Sequence, residues 1–135
     1  MPKLITKTLK TYVIAALALA ALAVYFNPTH VSQHLAVADV LSVAQLPPQA
    51  RQVWQAIQTN GPFAYPKKDG EFFGNFEQKL PSKPRGFYRS YTVPTKSLAH
   101  RGPKRLVAGG RSKTKPDVLY YTDDHYKSFV VVKQN

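Results

Sequence analysis

The chain has 135 residues, which is enough for a single domain and a short additional segment. It has no cysteine, so a disulfide framework and a thiolate metal site are both excluded. Its 19 Lys and Arg against 7 Asp and Glu give a net charge of +12. Between Gln78 and Pro116 there are eleven basic residues and no acidic one. This imbalance favours a polyanionic partner, either nucleic acid or an anionic membrane, over the alternative of a merely soluble basic face.

The N-terminal region has the pattern of a secretory signal peptide. Three lysines precede an apolar run over residues 12–26, which as a helix is shorter than the ~30 Å hydrocarbon core of a bilayer. This pattern predicts a signal peptide, with an uncleaved membrane anchor as the alternative. Two small-x-small sequences, Ala21-Leu22-Ala23 and Ala36-Val37-Ala38, are candidate cleavage sites. We therefore expect residues 1–38 to be a signal peptide or anchor plus spacer, and residues 39–135 to form a domain exported to the periplasm or the cell exterior.

The next segment, "LPPQARQVWQAIQTNGPF", has the pattern of one amphipathic helix. Pro47 and Pro48 favour a helix start, and "NGP" at residues 60–62 favours its end. Between them, apolar residues recur at i, i+3, i+4 and i+7, which places them on one face. They are Ala50, Val53, Trp54 and Ile57. We expect this face to contact the core.

The rest of the domain has the pattern of short β-strands. Lys68-Asp69-Gly70 predicts a turn, and the aromatic segment that follows is interrupted by Gly74 and Asn75. The segment "GFYRSYTV" alternates in the way typical of a strand with two distinct faces. Further short strands are predicted at "KRLVAGG", "LYYT" and "SFVVV". The pattern predicts an α+β domain in which one N-terminal helix packs on a twisted antiparallel sheet of about five strands.

Neither a metal nor a cofactor is expected. Of the four histidines, two lie in or near the predicted signal region and the other two, His100 and His125, are far apart in the sequence, and no G-x-S-x-G or phosphate-loop sequence occurs. Aromatic residues are interleaved with the basic ones. They are Phe87, Tyr88, Tyr91, Tyr120, Tyr121 and Tyr126. Rings that stack on unpaired bases contribute about 1–3 kcal/mol per base, although many of these rings must also build the core.

For His125, in "LYYTDDHYKSF", the residues alone leave three interpretations open: an acid or base, a metal ligand, or a polar residue on a strand.

The order of several segments is more specific. "LPPQA", "GPF", "YTVPT", "RG" with a following Arg, and "DHY" occur in sequence between about Leu41 and the C-terminus. In this order they resemble the small secreted microbial guanyl-preferring ribonucleases, the group that includes barnase and the Streptomyces ribonucleases. The resemblance implies one helix on a five-stranded antiparallel sheet, and we expect the protein to be a monomer. The resemblance also implies metal-independent cleavage of single-stranded RNA after guanosine, by transesterification through a 2′,3′-cyclic phosphate.

The resemblance implies catalytic roles for three residues. His125 matches the general acid that protonates the departing 5′-oxygen, which favours the acid among its open interpretations. Arg101 and Arg105 match two arginines that contact the phosphate, where a planar guanidinium can hold two oxygens at once.

The resemblance also implies a guanine site. Glu77 matches the carboxylate that accepts hydrogen bonds from guanine N1 and the exocyclic amine. Gly74, Asn75 and Phe76 match the loop whose backbone contacts guanine O6 and N7, and Tyr126 matches the aromatic residue that covers the base and phosphate site.

The chain departs from this family at one catalytic position. In "YRSYTV", Ser90 occupies the position at which the family has the glutamate that acts as general base. A serine hydroxyl is not basic near neutral pH, and loss of a general base typically reduces the rate by 10²–10⁴-fold, or roughly 3–5 kcal/mol of barrier. We therefore expect reduced activity. His100, Asp124 or a bound water are candidate substitutes for the missing base.

Three other functions compete with the ribonuclease. The first is a pseudoenzyme that binds RNA or an inhibitor on the same fold but no longer cleaves. The second is a toxin held by an acidic inhibitor protein, since a strongly basic domain favours rapid, salt-sensitive association with such a partner. The third is a membrane-active basic peptide, which the regular strand pattern disfavours.

Overall fold

The computed structural model of the protein describes residues 39–135, and the predicted signal or anchor segment lies outside the described residues. A short strand and a 3-10 turn precede the α-helix, and five further strands follow it. The helix α1 is Pro48–Gln58 and the 3-10 turn is Val43–Gln45. The strands are β1 Val40–Ser42, β2 Glu71–Phe72, β3 Tyr88–Thr92, β4 Arg105–Gly109, β5 Val118–Thr122 and β6 Val130–Lys133.

The predicted helix is confirmed. Pro48 lies in its first turn, where a missing backbone donor costs nothing, and Asn60 follows its end with a left-handed φ of 56°. Ala50, Trp54 and Ile57 are buried, as their spacing predicted. Within residues 39–135, no helix has both the length and the apolar character needed to cross a bilayer.

The sheet differs in detail from the expected one. It has six strands in the order β1-β6-β5-β4-β3-β2, and it is mixed, because β1 pairs in parallel with β6 while the other pairs are antiparallel. The α+β class is therefore confirmed. The predicted detail, an N-terminal helix that precedes an antiparallel sheet of about five strands, is wrong, because β1 lies before the helix and pairs in parallel. The three-residue β1 comes before the helix and is too short to show an alternating pattern. Its partner lies at the opposite end of the domain, where local sequence gives no indication of the pairing.

The sheet carries a hydrophobic core on each face. Tyr91 of β3 belongs to the same core as Trp54 and Ile57 of the helix. Tyr88, which projects to the other face, belongs to a second core with Leu80, Val107 and Tyr120. Partly buried side chains around the second core are Phe73, Phe87, Val118, Tyr126 and Phe129. Most of the aromatic residues therefore stabilise the fold, and the second core supports the face of the sheet on which polar side chains gather.

Candidate active site

All nine residues that the sequence predicted for the site line one open cleft of about 660 Å³. The cleft lies on the sheet face opposite the helix, because Ser90 alternates with the helix-facing Tyr91 along β3. Its floor includes aromatic residues of the second core. The nine residues are Gly74, Asn75, Phe76, Glu77, Ser90, Arg101, Arg105, His125 and Tyr126. The structure thus brings together side chains from β3, β4 and three loops, while their individual roles stay predictions.

The two arginines are held rigidly by hydrogen bonds. Arg101 donates from both Nε and Nη2 to Thr92 Oγ1, at 3.0 and 2.9 Å. Arg105 is 3% exposed, and its Nη1 donates to the carbonyl oxygens of Gly102 and Lys104 at 2.7 and 2.8 Å. Its buried Nε–H has no acceptor in the part of the chain that the structure describes. A buried donor of this kind is suited to an acceptor on a ligand.

The cleft is strongly cationic. Five Lys or Arg side chains and only two carboxylates line it. Within the described residues the one ion pair joins Lys79 Nζ to Glu77 Oε2, at 3.6 Å, so the other four cations have no carboxylate within ion-pair distance. A concave surface lined by unpaired charge of one sign concentrates ligands of the opposite sign. The arrangement is therefore suited to a phosphodiester.

His125 lies in a loop with an uncommon backbone conformation. Both His125 and Tyr126 have left-handed φ values, 58° and 70°, which are strained for residues other than glycine. The His125 N–H donates to the carbonyl oxygen of Pro103 at 3.2 Å. The Tyr126 ring stacks on Phe73 with centroids 4.9 Å apart, and it lies 5.9 Å from the Arg105 guanidinium. These contacts fix the loop so that the His125 side chain reaches the cleft.

Asp124 holds this loop together. Its Oδ1 accepts hydrogen bonds from the Thr122 hydroxyl at 2.8 Å and from the backbone N–H groups of Lys127 and Ser128 at 3.0 and 2.9 Å. Its Oδ2 accepts a hydrogen bond from the Ser128 hydroxyl at 2.6 Å. The hydrogen bonds from Ser128 are the main reason that the pKa of Asp124 is held well below its usual range. Asp124 therefore positions the loop and does not line the cleft.

We expect Asp124→Asn to lower kcat by about 10- to 100-fold, because loosening the loop displaces His125 from its place in the cleft. A carboxylate whose pKa is lower in the folded than in the unfolded chain stabilises the fold above the unfolded pKa, and this contribution is lost as the pH falls through the folded value. The difference in Tm between wild type and variant should therefore be largest near neutral pH and shrink towards pH 2. Circular dichroism melts across this pH range, with the exposed neighbour Asp123→Asn as control, would measure it.

The loop over residues 74–80, which is predicted to contact guanine and which we call the guanine loop, is closed by a side chain. Asn75, with a left-handed φ of 49°, accepts a hydrogen bond from the Leu80 N–H at 3.0 Å and donates one to the Leu80 carbonyl at 2.8 Å. The Phe76 ring is 95% exposed and lies so close to Gly74 that a Cβ there would collide with it. The Glu77 side chain is 78% exposed. The loop thus presents an accessible carboxylate and an exposed ring at one end of the cleft.

One acidic residue of the cleft was missed from sequence. Glu71 lines the cleft and is the cross-strand partner of Ser90. The only signal available was its place at the start of a short strand, which does not reveal the register. Of the substitute bases considered from sequence, His100 lies outside the cleft, and its Nδ1 accepts the Gly102 N–H at 3.1 Å. Among residues 39–135, no three His, Asp or Glu side chains are grouped closely enough to bind a metal ion.

Comparison with known proteins supports the same family. A ribonuclease family model matches residues 29–133. The chain is 41% identical to guanyl-specific ribonuclease St of Saccharopolyspora erythraea over 67% of this chain and 84% of that protein, and 38% identical to guanyl-specific ribonuclease Sa of Kitasatospora aureofaciens over 73% and 97%. A crystal structure of ribonuclease Sa2 with guanosine-2′-cyclophosphate superposes with a TM-score of 0.64 at 33% identity, covering 73% of this chain and 99% of that one. The chain therefore belongs to the family of microbial guanyl-preferring ribonucleases, of the barnase and Streptomyces type, and is an endoribonuclease.

Proposed function

We propose that residues 39–135 cleave single-stranded RNA after guanosine by metal-independent transesterification, and that the protein acts as a monomer outside the cytoplasm. The observation that carries the proposal is that His125, two arginines and Glu77 line a single cationic cleft. Two of the similar proteins are guanyl-specific, and ribonuclease Sa2 binds a guanosine cyclic phosphate, which supports the choice of base.

The arginines are suited to hold the scissile phosphate. Negative charge develops on the phosphate oxygens as the new bond forms, and donors already fixed in place stabilise that charge without reorganisation. Arg101 is fixed by Thr92, and Arg105 by two carbonyl oxygens. Each guanidinium keeps further donors that can reach phosphate oxygens.

The reaction removes one proton and supplies another. A base takes the proton of the 2′-hydroxyl, the 2′-oxygen bonds to phosphorus, and the bond from phosphorus to the 5′-oxygen breaks. His125, as imidazolium, donates a proton to the departing 5′-oxygen. The products are a 2′,3′-cyclic phosphate and a 5′-hydroxyl. With serine at position 90, we expect turnover slower than in relatives that carry glutamate there.

The experiment that tests this function is cleavage of GpU by the purified full-length protein in EDTA, with guanosine 2′,3′-cyclic phosphate followed by chromatography. Release of the cyclic phosphate supports the proposal. No release over hours would contradict it, and retained binding of single-stranded RNA in that case would identify a binding module instead.

Guanine preference gives a separate prediction. We expect Glu77→Gln to reduce the preference for GpU over ApU by about 10- to 100-fold, because the exposed Glu77 carboxylate can accept both the N1–H and the amine of guanine. Adenine lacks the N1–H donor, so its cleavage should change little. The ratio of kcat/KM for the two substrates measures the effect. Asp117→Asn, an exposed carboxylate outside the cleft, is the charge-matched control, and an unaltered ratio in Glu77→Gln would remove Glu77 from the guanine site.

We further propose that the protein is exported and that an acidic inhibitor protein can bind its cleft. The pattern of residues 1–38 supports export, and the cationic cleft is suited to an acidic inhibitor protein as well as to RNA. Cell fractionation with determination of the mature N-terminus would separate a cleaved signal peptide from an anchor. Recovery of the full-length chain in the cytoplasm would contradict export, and a dimer in sedimentation would contradict the monomer.

A further inference from the structure

The cleft contains a carboxylate that can take the place of the missing base. Glu71 of β2 and Ser90 of β3 are directly opposite each other in the antiparallel register. Directly opposite residues project from the same face of a sheet, with Cβ atoms about 4.5–5.5 Å apart. Both side chains line the cleft. We propose that Glu71 is the general base of the reaction, an inference that rests on the proposed ribonuclease function.

The register that places Glu71 beside Ser90 is fixed on both sides. The Gly70 N–H donates to the Ser90 carbonyl at 2.9 Å, and the Phe73 N–H donates to the Tyr88 carbonyl at 2.9 Å. A slip of one residue would turn Glu71 to the opposite face of the sheet. That face is occupied at this point by the ring of the next residue, which lies 4.3 Å from the Arg89 guanidinium. Glu71 is therefore held on the cleft side.

The strand order places this carboxylate and His125 on opposite sides of the strand that carries Arg105. Across the sheet, β2 carries Glu71, β4 carries Arg105, and His125 follows β5. The carboxylate and the imidazole thus belong to elements on either side of the strand that carries the phosphate-holding guanidinium. Displacement at phosphorus requires the attacking and leaving oxygens to be roughly in line. A base on the β2 side and an acid on the β5 side is the arrangement that this requirement favours.

The Glu71 carboxylate is available for proton transfer. Its residue is exposed, and within residues 39–135 no hydrogen bond or ion pair engages the carboxylate. The nearby Asp69 differs, because its two oxygens accept the backbone N–H groups of Thr92 at 2.7 Å and Tyr65 at 3.2 Å. The side chain at position 90 ends at a hydroxyl, which leaves room for the longer glutamate side chain from the opposite strand to extend over it.

The other candidate bases are less well placed. The Ser90 hydroxyl is not basic at neutral pH. His100 is exposed outside the cleft, and Asp124 is occupied by hydrogen bonds within its own loop. The other cleft carboxylate, Glu77, is in the guanine loop and pairs with a lysine. Among the described residues, Glu71 is thus the carboxylate of the cleft that makes no hydrogen bond or ion pair and has no other proposed role.

The proton transfers balance with Glu71 in this role. Its carboxylate accepts the 2′-hydroxyl proton as the bond from the 2′-oxygen to phosphorus forms. His125 gives its proton to the 5′-oxygen as the bond from that oxygen to phosphorus breaks. After the products leave, Glu71 releases its proton to solvent and His125 takes one up, so the enzyme returns to its starting state without any further reactant.

The test is a four-member set of full-length proteins: wild type, Glu71→Gln, Ser90→Glu, and the double variant. We expect Glu71→Gln to lower kcat for GpU cleavage by about 10²–10⁴-fold. The double variant, which moves the carboxylate to the facing strand, should recover to within about tenfold of wild type. Asp117→Asn is the charge-matched control, and binding of guanosine 3′-phosphate should stay within about threefold throughout, which a merely structural role of Glu71 would not predict.

Two outcomes would overturn this assignment while leaving the proposed function standing. One is a Glu71→Gln protein whose kcat is within about threefold of wild type. The other is a Ser90→Glu protein whose kcat exceeds wild type by about 10²-fold or more, since this would show that the natural chain has no working base. A wild-type protein that releases no cyclic phosphate would overturn both the base and the function.

Discussion

Replacing His125 by glutamine should lower kcat for GpU cleavage by about 10²–10⁴-fold, with little change in the binding of guanosine 3′-phosphate. Glutamine is polar and similar in size, but it cannot donate a proton to the departing 5′-oxygen. The loss should shrink with a substrate whose leaving group is an aryl oxide, because such a group departs without being protonated. Comparing kcat for the dinucleotide and the aryl ester therefore separates a lost acid from a disturbed cleft.

The matched control for this variant is His100→Gln. His100 is exposed, lies outside the cleft, and uses its Nδ1 to accept a backbone N–H, which a glutamine oxygen can also do. Its kcat should stay within about threefold of wild type. If the two histidine variants lost activity equally, or if His125→Gln lost as much with the aryl ester as with GpU, His125 would not be the acid.

The sequence predicted features that depend on local spacing. The helix was found because Ala50, Trp54 and Ile57 recur with its period. Predicted site residues lie in or directly beside short motifs whose order along the chain carries the resemblance: "DHY" contains His125, and "YTVPT" directly follows Ser90. In each case the informative residues are close together in the chain.

Features that depend on pairing between distant segments were not predicted. The first strand pairs with the last, Val40 opposite Val131, and nothing near residue 40 indicates this. The position of Glu71 opposite Ser90 is set by the register of two strands joined by a long loop. In "EFF" two apolar residues follow the glutamate without alternation, so the sequence does not show which face the glutamate occupies. Register is a property of the folded sheet, and here it decides on which face Glu71 lies.

The cationic cleft links binding to stability. Arg105 is a buried guanidinium without a carboxylate partner among the described residues, and Arg101 lines the same cleft. Charges of one sign held close together destabilise the folded state, and an anion that binds between them removes this cost. A ligand that binds only the folded state stabilises it by RT ln(1 + [L]/Kd), which is about 2.7 kcal/mol at 100 times Kd. The protein should therefore melt at a higher temperature in the presence of guanosine 3′-phosphate.

Arg105→Lys should lower kcat by about 10²–10³-fold and remove most of the rise in Tm produced by guanosine 3′-phosphate. Lysine keeps the positive charge, but it has no Nε–H, and its compact ammonium lacks the planar guanidinium geometry that holds the two carbonyl oxygens and still presents donors to a phosphate. Arg111→Lys, in an exposed loop outside the cleft, is the matched control and should behave as wild type. Melts with and without the nucleotide, together with GpU kinetics, measure both effects. A lysine variant that kept full turnover would show that charge alone is sufficient at this position, and that the fixed guanidinium geometry does not contribute to transition-state stabilisation.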